Sequence, residues 1–225
     1  LARTIQYMVD EEKAATAKGG RAAGLKAARA AFYSGDIAAT IVKYHRDNGG
    51  LLSADDMSQF HVRFEKPLRT TYAGVELYAC GPWCQGPVLP QALSVLAGYD
   101  LRAAGHNKPE YIHLVTEALK LAFADRHRYY GDPNFVNVPM DTLLSPEYAA
   151  RRRQMIRSGE AWPELPPAGN AGDAVQAKLP DPTRGEPVPA ADTSYVCVID
   201  RFGNGFSATP SDASSETPVI PGTGL

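Results

Sequence analysis

The sequence predicts an α+β chain in which a mainly helical portion is followed by a strand hairpin. Three observations predict it. Helical periodicity recurs over residues 1–48, 88–97, 109–130 and 145–157. Strand-like runs punctuated by Gly and Asn stand at 60–80 and 193–209. A segment with Pro or Gly every few residues, 158–192, separates the second strand region from all that precedes it.

In chain order, Ile5, Met8 and Val9 recur at helical spacing until Gly19-Gly20 breaks the segment. The next helix sets Leu25, Ala28, Ala31 and Phe32 on one side and stops at Ser34-Gly35. Asp36 suits the cap of a third, striped by Ile37, Ile41, Val42 and Tyr44 and ended by Gly49-Gly50. Ser53 caps a short turn, with Asp56 standing where a capping box has Glu or Gln. Runs at 60–72 and 75–80 meet at Ala73-Gly74 as a hairpin, and the Gly- and Pro-rich residues 81–87 form a loop anchored by Trp83. The longest helix, 109–130, begins on Pro109. Ile112, Val115, Leu119 and Ala122 make one stripe, which Leu114, Ala118 and Leu121 widen, as expected of a buried helix. Ser145-Pro146-Glu147 opens a further helix reaching about Arg157.

The chain is organised around the stretch from Asp192 to Ser211. Tyr195, Cys197 and Ile199 fall on one side of a strand and Val196 and Val198 on the other, which predicts burial on both faces. Arg201-Phe202-Gly203-Asn204-Gly205 supplies the reversal, and residues 206–209 resume the extended pattern. Thr193 stands at the entry. Cutting the Asp192–Thr193 bond would make it N-terminal, and an α-amine with a pKa near ~8 could then take the proton from its own hydroxyl. On pattern alone two readings stand: a nucleophile, or a β-branched residue that merely opens a strand.

Composition narrows the classes. The 225 residues, 44% of them hydrophobic, suffice for one large core or two small ones. A net charge of −2 excludes a dedicated nucleic-acid surface, and no run is long and apolar enough for a membrane span. Arg151-Arg152-Arg153 with Arg157 reads as a solvated helix face, and Asp125-Arg126 as a structural ion pair. Cys80, Cys84 and Cys197 are odd in number and lack zinc-knuckle spacing, so free or buried thiols are expected. His45, His61, His106, His113 and His127 show no ligand spacing, and no metal site is expected. Neither an initiator Met nor a signal peptide opens the chain, and both ends read as cuts through a larger protein.

Several co-linear segments resemble the γ-glutamyltransferase (γ-glutamyltranspeptidase) family of N-terminal nucleophile hydrolases. They are Gly49-Gly50-Leu51-Leu52, the run from Ala118 to Arg126, Tyr130-Gly131-Asp132-Pro133, Leu143 to Ala150, and Asp192 to Ser211. The resemblance implies an αββα sandwich, here in part, with 1–157 as a large-subunit portion, 158–192 as the linker and 193–225 as the start of the small subunit. It implies self-cleavage between Asp192 and Thr193, association with the remaining parts of the precursor, and an acyl-enzyme mechanism on a small-molecule amide with no cofactor.

Thr193 aligns with the family's nucleophile. Ser211 falls where the family has a second Thr, and its hydroxyl keeps the donor and acceptor that position needs. Thr209 is a candidate neighbour and substrate contact, or a packed β-branched residue. Gly222 and Gly224 resemble the Gly-rich turn after the strand and are candidate substrate contacts. Ala213 replaces an Asn that helps hold the glutamyl end, and Ser194-Tyr195 replaces Thr-His. The family's carboxylate-binding Arg would lie before Leu1, and its paired oxyanion glycines after Leu225. The expected activity is acyl transfer from a γ-glutamyl amide such as glutathione to water or an amine. The alternatives are a non-glutamyl amidohydrolase or acylase of the same fold, and a catalytically silent structural fragment.

Overall fold

A computed structural model describes residues 1–172, 192–212 and 218–225. Most of the expected Pro-rich segment, residues 173–191, lies outside the described residues, as does Ala213. The chain divides into two compact units, Leu1–Arg63 with Glu186–Leu225, and Phe64–Gly185.

The first unit opens with α1 (Ala2–Tyr33), which breaks internally at Gly20, φ 76° and ψ −178°. Only a residue without Cβ takes that conformation at little steric cost. After Ser34-Gly35 comes α2 (Asp36–Asp47), and here the expected cap is corrected. Gly35 occupies the N-cap in extended backbone, while Asp36 is already helical and accepts the Tyr7 hydroxyl at 3.3 Å. The short α3 (Ala54–Gln59) carries the expected capping box: the Asp56 N–H donates to Ser53 Oγ at 3.2 Å and the Ser53 N–H to Asp56 Oδ2 at 2.9 Å. Ile37, Ala38, Ile41 and Met57 form this unit's core, with Tyr7, Phe32, Leu52 and Ile220 packed against them.

In the second unit, β1 (Leu68–Tyr72) and β2 (Val75–Ala79) pair antiparallel from Leu68↔Ala79 to Tyr72↔Val75. Ala73 (φ 50°) and Gly74 (φ 81°) are both left-handed, as a two-residue type I′ turn requires. The strand expected from residue 60 forms only from Leu68. Pro67 has no N–H to donate, and the partner strand ends at Ala79, before Gly81-Pro82.

Helices α4 (Val88–Leu96), α5 (Leu101–Ala104), α6 (Pro109–Tyr129), α7 (Met140–Leu143) and α8 (Pro146–Arg153) follow. Val88, Ala92, Val95 and Leu96 of α4 pack on Leu114, Ala118, Leu121 and Ala122 of α6, with Ala149 of α8 closing the cluster. Ala118 and Ala122 admit α4 closely because they carry only a methyl group. α6 is buried along the widened stripe at Leu114, Ala118, Leu121 and Ala122, while Ile112 near its start is 52% exposed.

The Arg-rich face of α8 is also corrected. Arg151 is exposed, but Arg152 is buried, and Arg153 donates to the carbonyls of Val95 at 2.7 Å and Ser94 at 3.0 Å.

The chain then returns to the first unit as β3 (Asp192–Thr193), β4 (Val196–Ile199), β5 (Gly205–Ala208) and β6 (Ser211–Asp212). β3 pairs with β6 and β4 with β5, each antiparallel. The expected burial of β4 on both faces does not hold. Val196, Val198 and Ile199 are 48%, 54% and 80% exposed, and Phe206 opposite Val198 is 62% exposed. Alternation reports apolar faces; whether they are covered depends on long-range partners.

Candidate active site

Thr193 reaches its place through two nested pairings. The outer one, β3 with β6, sets Asp192 opposite Asp212 and Thr193 opposite Ser211. The Ser194 N–H donates to the Pro210 carbonyl at 3.0 Å and continues the ladder beyond the pair. Pro210 meets the strand through its carbonyl, the one backbone hydrogen-bonding group a proline keeps. The inner pairing, β4 with β5, runs from Val196↔Ala208 to Ile199↔Gly205.

The turn closing the inner hairpin is built by one carboxylate. Asp200 Oδ1 accepts the N–H groups of Phe202 at 2.8 Å and Asn204 at 2.9 Å, and Oδ2 accepts the Asn204 side-chain amide at 2.9 Å. Hydrogen bonds from Asn204, side chain first, hold this carboxyl below its usual pKa. Gly203 takes φ 82° at the tightest point. A seventeen-residue excursion thus returns Ser211 to its place opposite Thr193.

The other expected site residues lie elsewhere in this unit. Thr209 is exposed in the link between β5 and β6. Gly222 (φ 84°) and Gly224 (φ 72°) flank Thr223 in a turn whose carbonyl at Thr223 accepts the Thr4 hydroxyl of α1. A Cβ on Gly224 would collide with the Leu1 backbone nitrogen. Gly222 lines an open cleft of about 500 Å³ with Arg3, Tyr7 and Asp36. No group of three His, Cys, Asp or Glu that could hold a metal is found among the described residues.

Polar side chains that pattern reasoning missed are buried in the second unit. Asp125 is 0% exposed and accepts the Gln91 amide, the Gly169 N–H at 2.7 Å and the Arg152 guanidinium at 3.2 Å. The expected Asp125–Arg126 pair is therefore corrected: Arg126 lies over the Phe123 ring, 5.9 Å from its centroid. Burial raises the Asp125 carboxyl above the usual range, and Arg152 pulls it back. Glu117, 1% exposed, accepts Lys120 Nζ at 2.8 Å and the Trp162 N–H at 3.2 Å. The sequence signal was available: Glu117, Asp125 and Tyr129 fall on the stripe of an otherwise apolar helix face.

The family model described as gamma-glutamyltranspeptidase matches residues 8–224. The acylase ACY 1 proenzyme of Pseudomonas sp. (strain SE83) is 35% identical over 200 residues, covering 87% of this chain and 32% of that protein. The glutathione hydrolase-like YwrD proenzyme of Bacillus subtilis (strain 168) is 32% identical over 179 residues, covering 80% of this chain and 30% of that one. The solved structure of LmbA2991HD superposes with a TM-score of 0.83 at 34% identity, over 99% of this chain and 39% of that chain. The chain spans about a third of the length of the curated relatives it matches. Its helices and short antiparallel sheets are part of the N-terminal nucleophile hydrolase fold. Family model, relatives and superposition agree over nearly the whole chain, and the chain belongs to the gamma-glutamyltranspeptidase family.

Proposed function

We propose that this chain carries the nucleophile of a self-processing amide acyltransferase or hydrolase, with Thr193 as that nucleophile and Ser211 as its partner. The observation that carries the reading is the register of β3 and β6, which sets Thr193 directly opposite Ser211. Cross-strand partners share a face of the ladder and are the closest neighbours a sheet provides.

In the first step the Thr193 hydroxyl attacks the Asp192 carbonyl. A C–O bond forms, the Asp192–Thr193 C–N bond breaks, and the hydroxyl proton passes to the departing nitrogen. The ester is hydrolysed, leaving Thr193 with a free α-amine. In turnover that amine takes the hydroxyl proton as the oxygen attacks a substrate amide, and passes it to the leaving amine. Water or an amine acceptor then resolves the acyl-enzyme. Two subunits of one precursor result, which fits the proenzyme names of both relatives.

The substrate class favoured by the family is a γ-glutamyl amide such as glutathione. A second reading, a non-glutamyl amide, is supported by the 35% identity to an acylase proenzyme and by Ala213, which has no amide with which to hold a glutamyl end. A catalytically silent fragment is the third.

Intact mass of the natively purified protein separates them. Cleavage before Thr193, lost in Thr193→Ala together with turnover, is the expected result; an uncut, inactive protein sinks the enzyme reading. Turnover of a γ-glutamyl anilide compared with a simple acyl anilide then decides the substrate. Ser211→Ala should slow both processing and turnover by about 10²-fold, the scale of one hydrogen-bonding group in a nucleophile's surroundings, while Ser211→Thr should retain them.

A further inference from the structure

The segment that leads toward Asp192 is gripped before it leaves the second unit. Glu117, Leu121, Asp125 and Tyr129 stand four residues apart on α6 and so line one stripe. Residues 162–171 run along that stripe in the same direction as the helix. Glu117 takes the Trp162 N–H at 3.2 Å, and Asp125 the Gly169 N–H at 2.7 Å. The Tyr129 hydroxyl donates to the Gly169 carbonyl at 2.7 Å and accepts the Ala171 N–H at 3.0 Å. From α8, the Arg152 guanidinium donates to the Pro167 carbonyl at 2.9 Å and to the Leu121 carbonyl at 3.2 Å while pairing with Asp125.

Gly169 is required at this place. A Cβ there would collide with the Tyr148 hydroxyl and lie 2.8 Å from Arg152 Cδ. The Tyr148 hydroxyl lies beside Asp125, without a hydrogen bond of ordinary geometry among the described residues.

Irregular backbone usually finds its hydrogen bonds in water. Here, Asp125 and Arg152, 0% and 3% exposed, are directed at one irregular stretch. Burying such charges is costly unless every partner is fixed. We propose that Asp125, Tyr129 and Arg152 form an anchor at Gly169–Ala171. Cutting the Asp192–Thr193 bond then leaves the large subunit tied to α6 at Gly169–Ala171. That consequence rests on the processing reading above; the anchor rests on the hydrogen bonds alone.

The test is digestion of the natively purified protein with a nonspecific protease, reading by intact mass where the N-terminal fragment ends. In the unmodified protein that fragment should end no earlier than Ala171, the last residue held by the anchor. In Gly169→Ala its end should move back by about ten residues, toward Trp162. Adding Tyr148→Phe, which removes the atom that the new Cβ meets most closely, should restore the original end in part, a rescue that general destabilisation does not produce. A second variant guards against misfolding of the first. Tyr129→Phe keeps the ring and deletes both hydrogen bonds, and amide exchange at Ala171 should rise at least tenfold. Fragments ending before Ala171 in the unmodified protein, an unmoved end in Gly169→Ala, or unchanged exchange in Tyr129→Phe would overturn the anchor. If the protein is not cut before Thr193, the added protease makes the first nick and the same end is still read, so failure of the processing reading remains distinguishable.

Discussion

Asp125 shows what one carboxylate does when a helix face carries it inside. Among the described residues its only cation is Arg152, and both side chains are almost fully buried. Arg152→Met would leave the carboxylate without that cation, and a loss of about 3–5 kcal/mol is expected, read by urea unfolding. The pH dependence follows from the raised carboxyl. A group that holds its proton more tightly when folded contributes stability at acid pH, and that contribution is lost as pH rises through the folded value. Without Arg152 the folded value rises further, so the variant's deficit should grow from acid toward neutral pH. The sequence suggested Arg126 as the partner by adjacency, but consecutive helix residues do not face one another. It also made the Arg151–Arg153 run a solvated face, because a string of charges says nothing of the carbonyls of Val95, Ser94, Leu121 and Pro167 that two of them reach. Thr193 and Ser211 were legible as a pair only through family likeness; the register of β3 and β6 gives their pairing a physical basis.

At the scale of elements, local rules served well. The Ser53–Asp56 box, the Ala73-Gly74 turn and the break at Gly20 all follow from side-chain reach or left-handed backbone, which nearest neighbours decide. Ser53→Ala should destabilise α3 by about 1 kcal/mol, seen as looser packing of Met57 in side-chain NMR. The Asp200 turn should respond to acid. Its carboxyl is depressed in the folded hairpin, so the turn's stability is present above the ordinary carboxylate range and lost as pH falls through the folded value. Amide exchange at Phe202 and Asn204 should accelerate over that interval, and Asp200→Ala should exchange fast at every pH. Covering of β4 and β5 was not legible, because an alternating apolar run reads the same whether or not another layer lies on it.

At the scale of the whole chain, the β4/β5 hairpin presents Val196, Val198, Ile199 and Phe206 on an exposed surface. Residues 1–225 prepared alone should bind a hydrophobic dye, and Val198→Lys with Phe206→Lys should lower that fluorescence by at least about half, since exposed apolar patches of this kind are what such dyes report. One boundary between the two units, Gly185/Glu186, falls within the Pro-rich segment 158–192, and the other lies at Arg63/Phe64. The first unit is assembled from two separate stretches of sequence, Leu1–Arg63 and Glu186–Leu225, and the second is contiguous. That discontinuity fixes an order during translation. The contiguous unit can close its α4–α6–α8 core while the ribosome is still making the rest, since domains fold as units and N-terminal parts emerge first. Helices α1 to α3 must wait for Ile220 and Thr223, which complete their packing. Ser211 emerges late as well. A nascent chain therefore cannot set Thr193 against Ser211 until the helical core has had time to form, and the scission proposed above would be held back by the timetable of synthesis.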